Sequence, residues 1–194
     1  ILWGPPGVGK TTLARLIASE SHRPFHSLSA IHSGVKEVRA VLESSKRDGM
    51  FAGRALLFID EIHRFSKSQQ DSLLGAVEAG TVTLIGATTE NPSFEVIPAL
   101  RSRCQTYVLE PLSVEVLMGL VNRALTEDEY LSTSRVRIAE ENALLRASGG
   151  DARRLLNTLE LVVEGLEENA QGERVLTNED VISRVQHPGV NYDK

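Results

Sequence analysis

A glycine-rich segment near the start of the sequence has the residue types and the spacing needed to hold a chain of phosphates. Its pattern is G-x-x-x-x-G-K-[ST], and its residues are Gly4, Pro5, Pro6, Gly7, Val8, Gly9, Lys10 and Thr11. The glycines let successive backbone N–H groups turn toward a triphosphate, and Lys10 supplies a cation for its β and γ oxygens. Thr11 offers a hydroxyl to Mg²⁺. Together with Thr12 in the helix that follows, the segment predicts a nucleoside triphosphate site that uses magnesium.

Two adjacent acidic residues, Asp60 and Glu61, directly follow the apolar run Ala55–Ile59. At the end of a parallel strand beside a phosphate loop, Asp60 can steady Mg²⁺, and Glu61 can orient and deprotonate the attacking water. Two acids after an apolar strand are, by themselves, more typical of a helix start, but the phosphate loop upstream reverses this preference. His63 completes a string similar to a helicase box, and we interpret it as a histidine on a helical face.

The first half of the sequence alternates short apolar runs with helical patterns, which is typical of a parallel sheet with crossover helices. The predicted strands are Ile1–Trp3, Pro24–Ala30, Ala55–Ile59, Val82–Ala87 and, at an edge, Tyr107–Leu109. Of these, Ala55–Ile59 is apolar throughout, as expected of a strand that is buried on both faces. The expected fold of this half is therefore an α/β layer domain.

Pro111 marks a change of pattern, because only helical periodicity follows it. The predicted helices are Val114–Leu125, Ile138–Ala147, Asp151–Glu167 and Asn178–Val185, and the polar stretch Thr126–Arg137 is predicted to be a loop. Thr177 and Asp180 have the spacing of a helix capping box. We therefore expect an α/β domain over residues 1–110, a small all-helical domain over residues 111–188, and the start of a linker over residues 189–194.

Composition and charge exclude several classes of protein. Of the 194 residues 41% are hydrophobic and 24% charged, which argues against disorder, and no apolar run reaches the length of about 18 residues needed to span a membrane. The single cysteine, Cys104, excludes an internal disulfide and fits a reducing, cytoplasmic compartment. Residues 1–110 hold 12 Lys and Arg against 11 Asp and Glu, and residues 111–194 hold 9 against 15, so neither half predicts a broad basic surface for duplex DNA. Because the sequence begins with Ile1 rather than Met, we expect a fragment of a longer chain.

The motifs taken together resemble those of the AAA+ ATPases, in particular the clamp-loader clade. Within that clade they are similar to the family of replication-associated recombination protein A and Werner helicase-interacting protein. The segments that carry the resemblance are Trp3–Thr11, Phe58–Ser72, Gly86–Phe94, Leu100–Cys104 and Gly150–Arg154. The resemblance implies a P-loop NTPase fold, in which a parallel sheet with flanking helices is followed by a helical lid, and it implies ATP and Mg²⁺ as ligands.

The resemblance also assigns roles to the phosphate loop and to the acid pair. Lys10 and Thr11 would be the Walker A pair, and Thr11 and Asp60 would hold the metal ion. Glu61 would be the catalytic base of the Walker B motif. These roles agree with the chemistry that the residue types themselves support.

Three further positions receive roles from the resemblance. Thr89 would be sensor 1, which polarises the attacking water, and Asn91 is the alternative. Arg103, in a Ser-Arg-Cys motif, would be the arginine finger; because it acts in the nucleotide site of a neighbouring subunit, it predicts an oligomer. Arg153 would be sensor 2, which reaches the nucleotide from the lid, and Arg154 is the alternative. Without the motifs, these arginines would be interpreted as solvated charges or structural ion pairs.

Finally, the resemblance implies a function. We expect an ATP-driven protein that acts on DNA ends, gaps or forks at stalled replication forks, with single-stranded DNA-binding protein as a possible partner and no membrane contact. In bacteria it would be associated with the nucleoid. A C-terminal domain beyond this sequence would make it a homo-oligomer, a tetramer in the family. The alternatives are a clamp-loader subunit or branch-migration motor, and a scaffold in which ATP assembles subunits without hydrolysis.

Overall fold

The computed structural model describes the backbone of residues 1–52 and 54–186, and their side chains except those of residues 46–52 and 186. The chain divides into two compact units, Ile1–Glu110 and Pro111–Lys194. Each unit has a hydrophobic core of its own. The predicted linker, residues 189–194, lies outside the described residues.

The first unit contains a five-stranded parallel sheet flanked by helices. Its strands are β1 (Leu2–Trp3), β2 (Phe25–Ser29), β3 (Ala55–Asp60), β4 (Val82–Thr88) and β5 (Tyr107–Val108). Its helices are α1 (Lys10–Ser21), α2 (Val35–Ala52), α3 (Lys67–Glu78), α4 (Pro92–Glu95) and α5 (Pro98–Arg101), and a 3₁₀ turn spans Ile62–Arg64. The strand order is β2-β3-β4-β1-β5, with every pairing parallel. The α/β fold predicted from the alternating pattern is therefore confirmed.

Strand β3 is covered on both faces of the sheet, and this explains why its sequence is apolar without interruption. Its side chains alternate between the two faces of the sheet. On one face Leu56 and Phe58 join a cluster that includes Ala14 and Ala18 of α1. On the other face Leu57 and Ile59 join a cluster with residues of α2 and α3, among them Val38 and Leu73. All five residues from Ala55 to Ile59 are at most 1% exposed, so the strand that ends in the acid pair is held on both sides.

The second unit is mainly helical, but the expectation of an all-helical domain is wrong in one respect, because the unit also contains a small sheet. Its helices are α6 (Val114–Glu127), α7 (Glu129–Thr133), α8 (Asn142–Ser148), α9 (Ala152–Glu164) and α10 (Asn178–Gln186). Two strands of three residues each, β6 (Val136–Ile138) and β7 (Arg174–Leu176), pair in parallel. The core of this unit is built from leucine and valine side chains of α6, α8, α9 and α10.

Two further details of the second unit differ from the sequence-based expectation. The stretch Thr126–Arg137 is not a loop, because the Asp128 carboxylate accepts hydrogen bonds from the backbone N–H groups of Tyr130 and Leu131 and so starts α7. Ile138 belongs to β6, not to the helix that follows, and a three-residue strand is too short to show an alternating pattern.

The predicted capping box is confirmed: the Asp180 carboxylate accepts from the Thr177 N–H at 2.9 Å, and the Thr177 hydroxyl accepts from the Asp180 N–H at 3.4 Å. Across the described part of the chain, none of the helices combines the length and the apolar character needed to cross a bilayer.

Candidate nucleotide site

The carboxyl ends of three neighbouring strands, β1, β3 and β4, lie side by side. We call this side of the sheet the phosphate edge. Strand β4 lies between β1 and β3, with Trp3 paired to Thr88 and Ile59 paired to Gly86. Because parallel strands end at the same edge, the phosphate loop after β1, the acid pair at the end of β3 and the threonines at the end of β4 come together. Two strand spacings separate β1 from β3, which is about 10 Å. This is the edge of an open α/β sheet at which ligands bind.

The phosphate loop connects β1 to α1 in a backbone conformation that needs glycine. Gly7 and Gly9 have positive φ angles of 70° and 92°, a region that residues with a Cβ atom adopt at a cost. Gly9 caps α1, and its carbonyl accepts the Leu13 N–H at 2.8 Å. The loop therefore presents the first turn of α1 with its unpaired N–H groups, which is a suitable site for an anion.

Close packing restricts the first glycine of the loop in a different way. A Cβ atom at Gly4 would lie 2.2 Å from the Leu109 carbonyl oxygen. The Gly4 N–H donates to the Thr88 carbonyl at 3.2 Å. Gly4 thus fixes the start of the loop against the ends of both neighbouring strands.

Lys10, the first residue of α1, has its ammonium group inside the turn of the loop. Its Nζ atom donates to the Gly4 carbonyl at 2.7 Å and to the Pro5 carbonyl at 2.8 Å. The residue is only 7% exposed. A buried cation held among backbone groups at a helix start is suited to contact phosphate oxygens. Thr12 is exposed in the same turn of α1.

The residues available to hold Mg²⁺ fit that ion chemically. Thr11 lies in the first turn of α1, and Asp60 is the last residue of β3. A hydroxyl and a carboxylate are hard oxygen ligands, and Mg²⁺ prefers such ligands together with phosphate oxygens and water. Both residues are partly exposed, so a metal ion bound through them would remain accessible to a nucleotide.

Glu61 has an unusual backbone conformation. Its φ and ψ angles are 54° and 47°, in the left-handed region that costs a non-glycine residue about 1 kcal/mol or more. The Arg64 N–H donates to its carbonyl at 2.8 Å, which closes the 3₁₀ turn. The Glu61 Oε2 atom lies 3.4 Å from the Thr89 hydroxyl and 3.2 Å from His63 Nδ1. Strained backbone conformations of this kind concentrate at functional sites.

The two candidates for sensor 1 differ in what their side chains do. The Thr89 hydroxyl donates to Glu61 Oε2. The Asn91 side chain instead accepts the Ser93 N–H at 2.9 Å and caps α4. Thr89, and not Asn91, therefore contacts the acid pair.

Arg103 lies at the opposite edge of the sheet, where the strands begin. It forms an ion pair with Glu78, the last residue of α3, and donates to the Ala99 carbonyl at 2.7 Å. Four residues later the chain enters β5 at Tyr107. Strand β4 has seven residues, so about 20 Å separates the two edges of the sheet.

Cys104, which follows Arg103, is part of the packing of the first unit. Its side chain is half-buried against the core. Burial raises the pKa of the Cys104 thiol, so the residue stays protonated at neutral pH and is not a thiolate nucleophile.

The two candidates for sensor 2 both begin α9 in the second unit. The Asp151 carboxylate caps this helix by accepting the backbone N–H groups of Arg153 at 2.8 Å and Arg154 at 3.1 Å. Both arginines are exposed. The cap fixes their backbone and leaves both side chains as candidates.

Sequence reasoning missed two residues of the site and one contact of Arg103. His63 lies in the 3₁₀ turn, and the interpretation as a histidine on a helical face did not include its Nδ1 contact with Glu61. Thr88 is fully buried, and its hydroxyl contacts His63 at 3.0 Å. The helicase-like string that ends in His63 was the available signal, whereas nothing local in the sequence indicates Thr88 or the Arg103–Glu78 pair.

Comparison with known proteins gives the class of protein that this fold and site define. The family model described as "ATPase family associated with various cellular activities (AAA)" matches residues 1–112. The model described as "AAA C-terminal domain" matches residues 132–194. The chain therefore belongs to the AAA ATPase family.

Similar proteins include members of the family that the sequence motifs resemble. The chain is 45% identical over 183 residues to replication-associated recombination protein A of Escherichia coli K12, an alignment that covers 92% of this chain and 41% of that protein. It is 41% identical over 211 residues to the ATPase WRNIP1 of Dictyostelium discoideum, with coverage of 100% and 24%. The chain thus spans less than half the length of these relatives. The resemblance predicted from the sequence is confirmed.

A solved structure supports the fold. The Thermotoga maritima RuvB Holliday junction branch migration motor superposes with a TM-score of 0.74 at 30% identity. The match covers 95% of this chain and 60% of that chain. The chain has a RuvB-like AAA fold.

Proposed function

We propose that this chain binds and hydrolyses Mg–ATP as part of a protein that acts on DNA in replication-fork maintenance, recombination and repair. The observation that carries the proposal is the meeting of three strand ends, where the phosphate loop, Asp60, Glu61 and Thr89 share one edge of the sheet. Relatives named for replication-associated recombination and for branch migration support DNA as the polymer on which the protein acts.

The site residues divide the chemistry of phosphoryl transfer among them. This reaction depends mainly on positioning and on stabilising charge. Lys10 and the N–H groups of the loop bind the phosphates, and Glu61 orients the attacking water and accepts its proton. Thr89, which contacts Glu61, is favoured as sensor 1 over Asn91. Mg²⁺ held by Thr11 and Asp60 would neutralise charge on the phosphate oxygens.

Arg103 completes the site of a neighbouring subunit in this proposal. Its ion pair with Glu78 lies where the strands begin, and β4 alone spans about 20 Å from there to the phosphate edge, so Arg103 is unsuitable for its own nucleotide. A guanidinium brought to the γ-phosphate by a second subunit stabilises the charge of the transition state. The protein is therefore proposed to act as a homo-oligomer, with Arg153 of the lid as sensor 2.

The test is steady-state ATP hydrolysis by the full-length protein, with and without DNA that carries ends, gaps or forks. We expect turnover that needs Mg²⁺, rises with DNA and falls to a small residual rate in Glu61→Gln. The matched control is Glu160→Gln, the same change at an exposed position of α9, which should leave turnover unchanged. Wild-type turnover in Glu61→Gln would contradict the assignment of the base. Nucleotide-dependent assembly without any hydrolysis would instead support the scaffold alternative.

A branch-migration motor or clamp-loader subunit is the second candidate. The superposition on RuvB favours the motor within this pair. The two classes differ in substrate, because a motor converts four-way DNA junctions when ATP is present and a loader requires a sliding clamp. Junction unwinding would select the motor, and copurification of a clamp with heteromeric partners would select the loader.

A further inference from the structure

His63 lies between the candidate base and the strand that leads to sensor 1. Its Nδ1 atom is 3.2 Å from Glu61 Oε2 and 3.0 Å from the Thr88 hydroxyl oxygen. The His63 side chain is 12% exposed and that of Glu61 is 26% exposed. Both contacts are within hydrogen-bond distance and shielded from most of the solvent.

The neighbours of Nδ1 determine which ring nitrogen carries a hydrogen. An ionised carboxylate can only accept, so a contact with Glu61 requires a hydrogen on Nδ1. The Thr88 hydroxyl has its own acceptor, the Glu90 carbonyl at 3.1 Å, and its oxygen can therefore accept from the ring. A hydrogen on His63 Nδ1 would therefore face both the Thr88 hydroxyl oxygen, in hydrogen-bond geometry, and Glu61 Oε2 at 3.2 Å.

The same contacts connect the base to the phosphate loop. The carbonyl of Thr88 accepts the Gly4 N–H at 3.2 Å, while its hydroxyl contacts His63. The next residue, Thr89, donates to the same Oε2 atom of Glu61 that His63 contacts. One carboxylate oxygen is therefore held from two sides, by the 3₁₀ turn and by the end of β4.

We propose that His63 is a positioning residue: its Nδ1–H group holds the Glu61 carboxylate in the orientation needed to activate water. The inference rests on the proposed function, in which Glu61 is the base. A free glutamate side chain loses rotamer entropy when it is fixed. His63 and Thr89 fix it before the nucleotide reacts, so this loss does not add to the barrier.

The test compares His63→Ala with His63→Asn in the full-length protein, by kcat and KM for ATP. Asparagine places an amide N–H close to the position of Nδ1–H, and alanine places nothing there. We expect His63→Ala to lower kcat by about 10-fold with KM changed by less than about 2-fold, because positioning acts on the chemical step. His63→Asn should recover most of kcat. Thermal unfolding of each variant is measured in parallel.

A double substitution shows whether His63 acts through Glu61. If it does, adding His63→Ala to Glu61→Gln has no further effect on the residual rate, because the two changes remove one function. Wild-type kcat in His63→Ala, with Glu61→Gln inactive, would overturn this inference and leave the proposed function intact. Equal losses of kcat and of thermal stability in His63→Ala and His63→Asn would also overturn it, since they indicate a structural role. An active Glu61→Gln would instead contradict the proposed function itself.

Discussion

Arg103 forms an ion pair with Glu78 at the edge of the sheet where the strands begin. The two side chains are 40% and 49% exposed, so the pair lies on the surface of the first unit. Within its own unit, the guanidinium is held away from the phosphate edge. An arginine finger in this position must leave Glu78 before it can reach the nucleotide of a neighbouring subunit.

The ion pair predicts that Glu78→Gln increases turnover of the assembled protein. An ion pair this exposed contributes about 1 kcal/mol or less, so we expect kcat to rise by at most about 5-fold. The measurement is kcat at saturating ATP and at a protein concentration that ensures assembly. The control is Glu95→Gln, a change of the same type at another exposed position in the first unit. A fall in kcat would show that Glu78 orients the guanidinium for catalysis instead of withholding it.

Complementation between variants tests whether sites are shared between subunits. Lys10→Ala would remove the proposed phosphate contact of a subunit's own site, and Arg103→Ala would remove the finger that it is proposed to provide to a neighbour. Each variant alone should hydrolyse ATP at least about 1,000-fold more slowly than the wild type. Mixed in equal amounts, they should recover part of the activity, because some sites then combine an intact loop with an intact finger. No recovery in a mixture shown to form mixed oligomers would contradict a finger that acts between subunits.

The two arginines at the start of α9 can be separated by single substitutions. Both are exposed, and both backbones are held by Asp151, so replacing either side chain leaves the cap intact. We expect Arg153→Ala to weaken ATP binding and hydrolysis by about 10-fold or more, as loss of a charged phosphate contact would. Arg154→Ala serves as the matched control and should stay near wild type. The reverse result would assign sensor 2 to Arg154. Nucleotide affinity is measured by calorimetry in the presence of Mg²⁺.

The parallel sheet could be predicted from the sequence because its signals are local and long enough to recognise. The run Ala55–Ile59 is apolar throughout since β3 is buried on both faces, and helical patterns separate it from its neighbours. The strands Val136–Ile138 and Arg174–Leu176 could not be predicted, because three residues show no period and they pair across a separation of 38 positions. The helix at Glu129–Thr133 depends on one capping residue, Asp128, in an otherwise polar stretch.

The candidate site likewise contains some features that can be predicted from the sequence and others that cannot. The phosphate loop and the acid pair are contiguous motifs, and the chemistry of their residues can be recognised from spacing alone. The contact of His63 with Thr88 joins residues 25 positions apart, and it depends on a left-handed backbone at Glu61 that no propensity predicts for glutamate. The Arg103–Glu78 pair likewise requires the tertiary fold. Sequence therefore indicates which groups perform chemistry, whereas the structure indicates what holds them.

Two glycines of the first unit should respond in opposite directions to the same substitution by alanine. At Gly4 a Cβ atom would lie 2.2 Å from the Leu109 carbonyl oxygen, and a backbone atom of a neighbouring strand cannot move away cheaply. We expect Gly4→Ala to destabilise the protein by about 1–3 kcal/mol and to weaken ATP binding, because the loop must shift. At Gly75, inside α3, a Cβ atom would meet nothing within 4 Å. Gly75→Ala should therefore stabilise the helix by about 0.5–1 kcal/mol.

The pair of variants separates stability from nucleotide binding when thermal unfolding is measured with and without Mg–ATP. The wild type and Gly75→Ala should gain the same increase in unfolding temperature from the nucleotide, since a ligand stabilises only the state that binds it. Gly4→Ala should start lower and gain less. If Gly4→Ala unfolded at the wild-type temperature and gained the full increase, the close approach of Gly4 to Leu109 would not restrict the loop. The loop would then accommodate a Cβ atom at residue 4, and the absence of a side chain there would not be what holds the phosphate site in place.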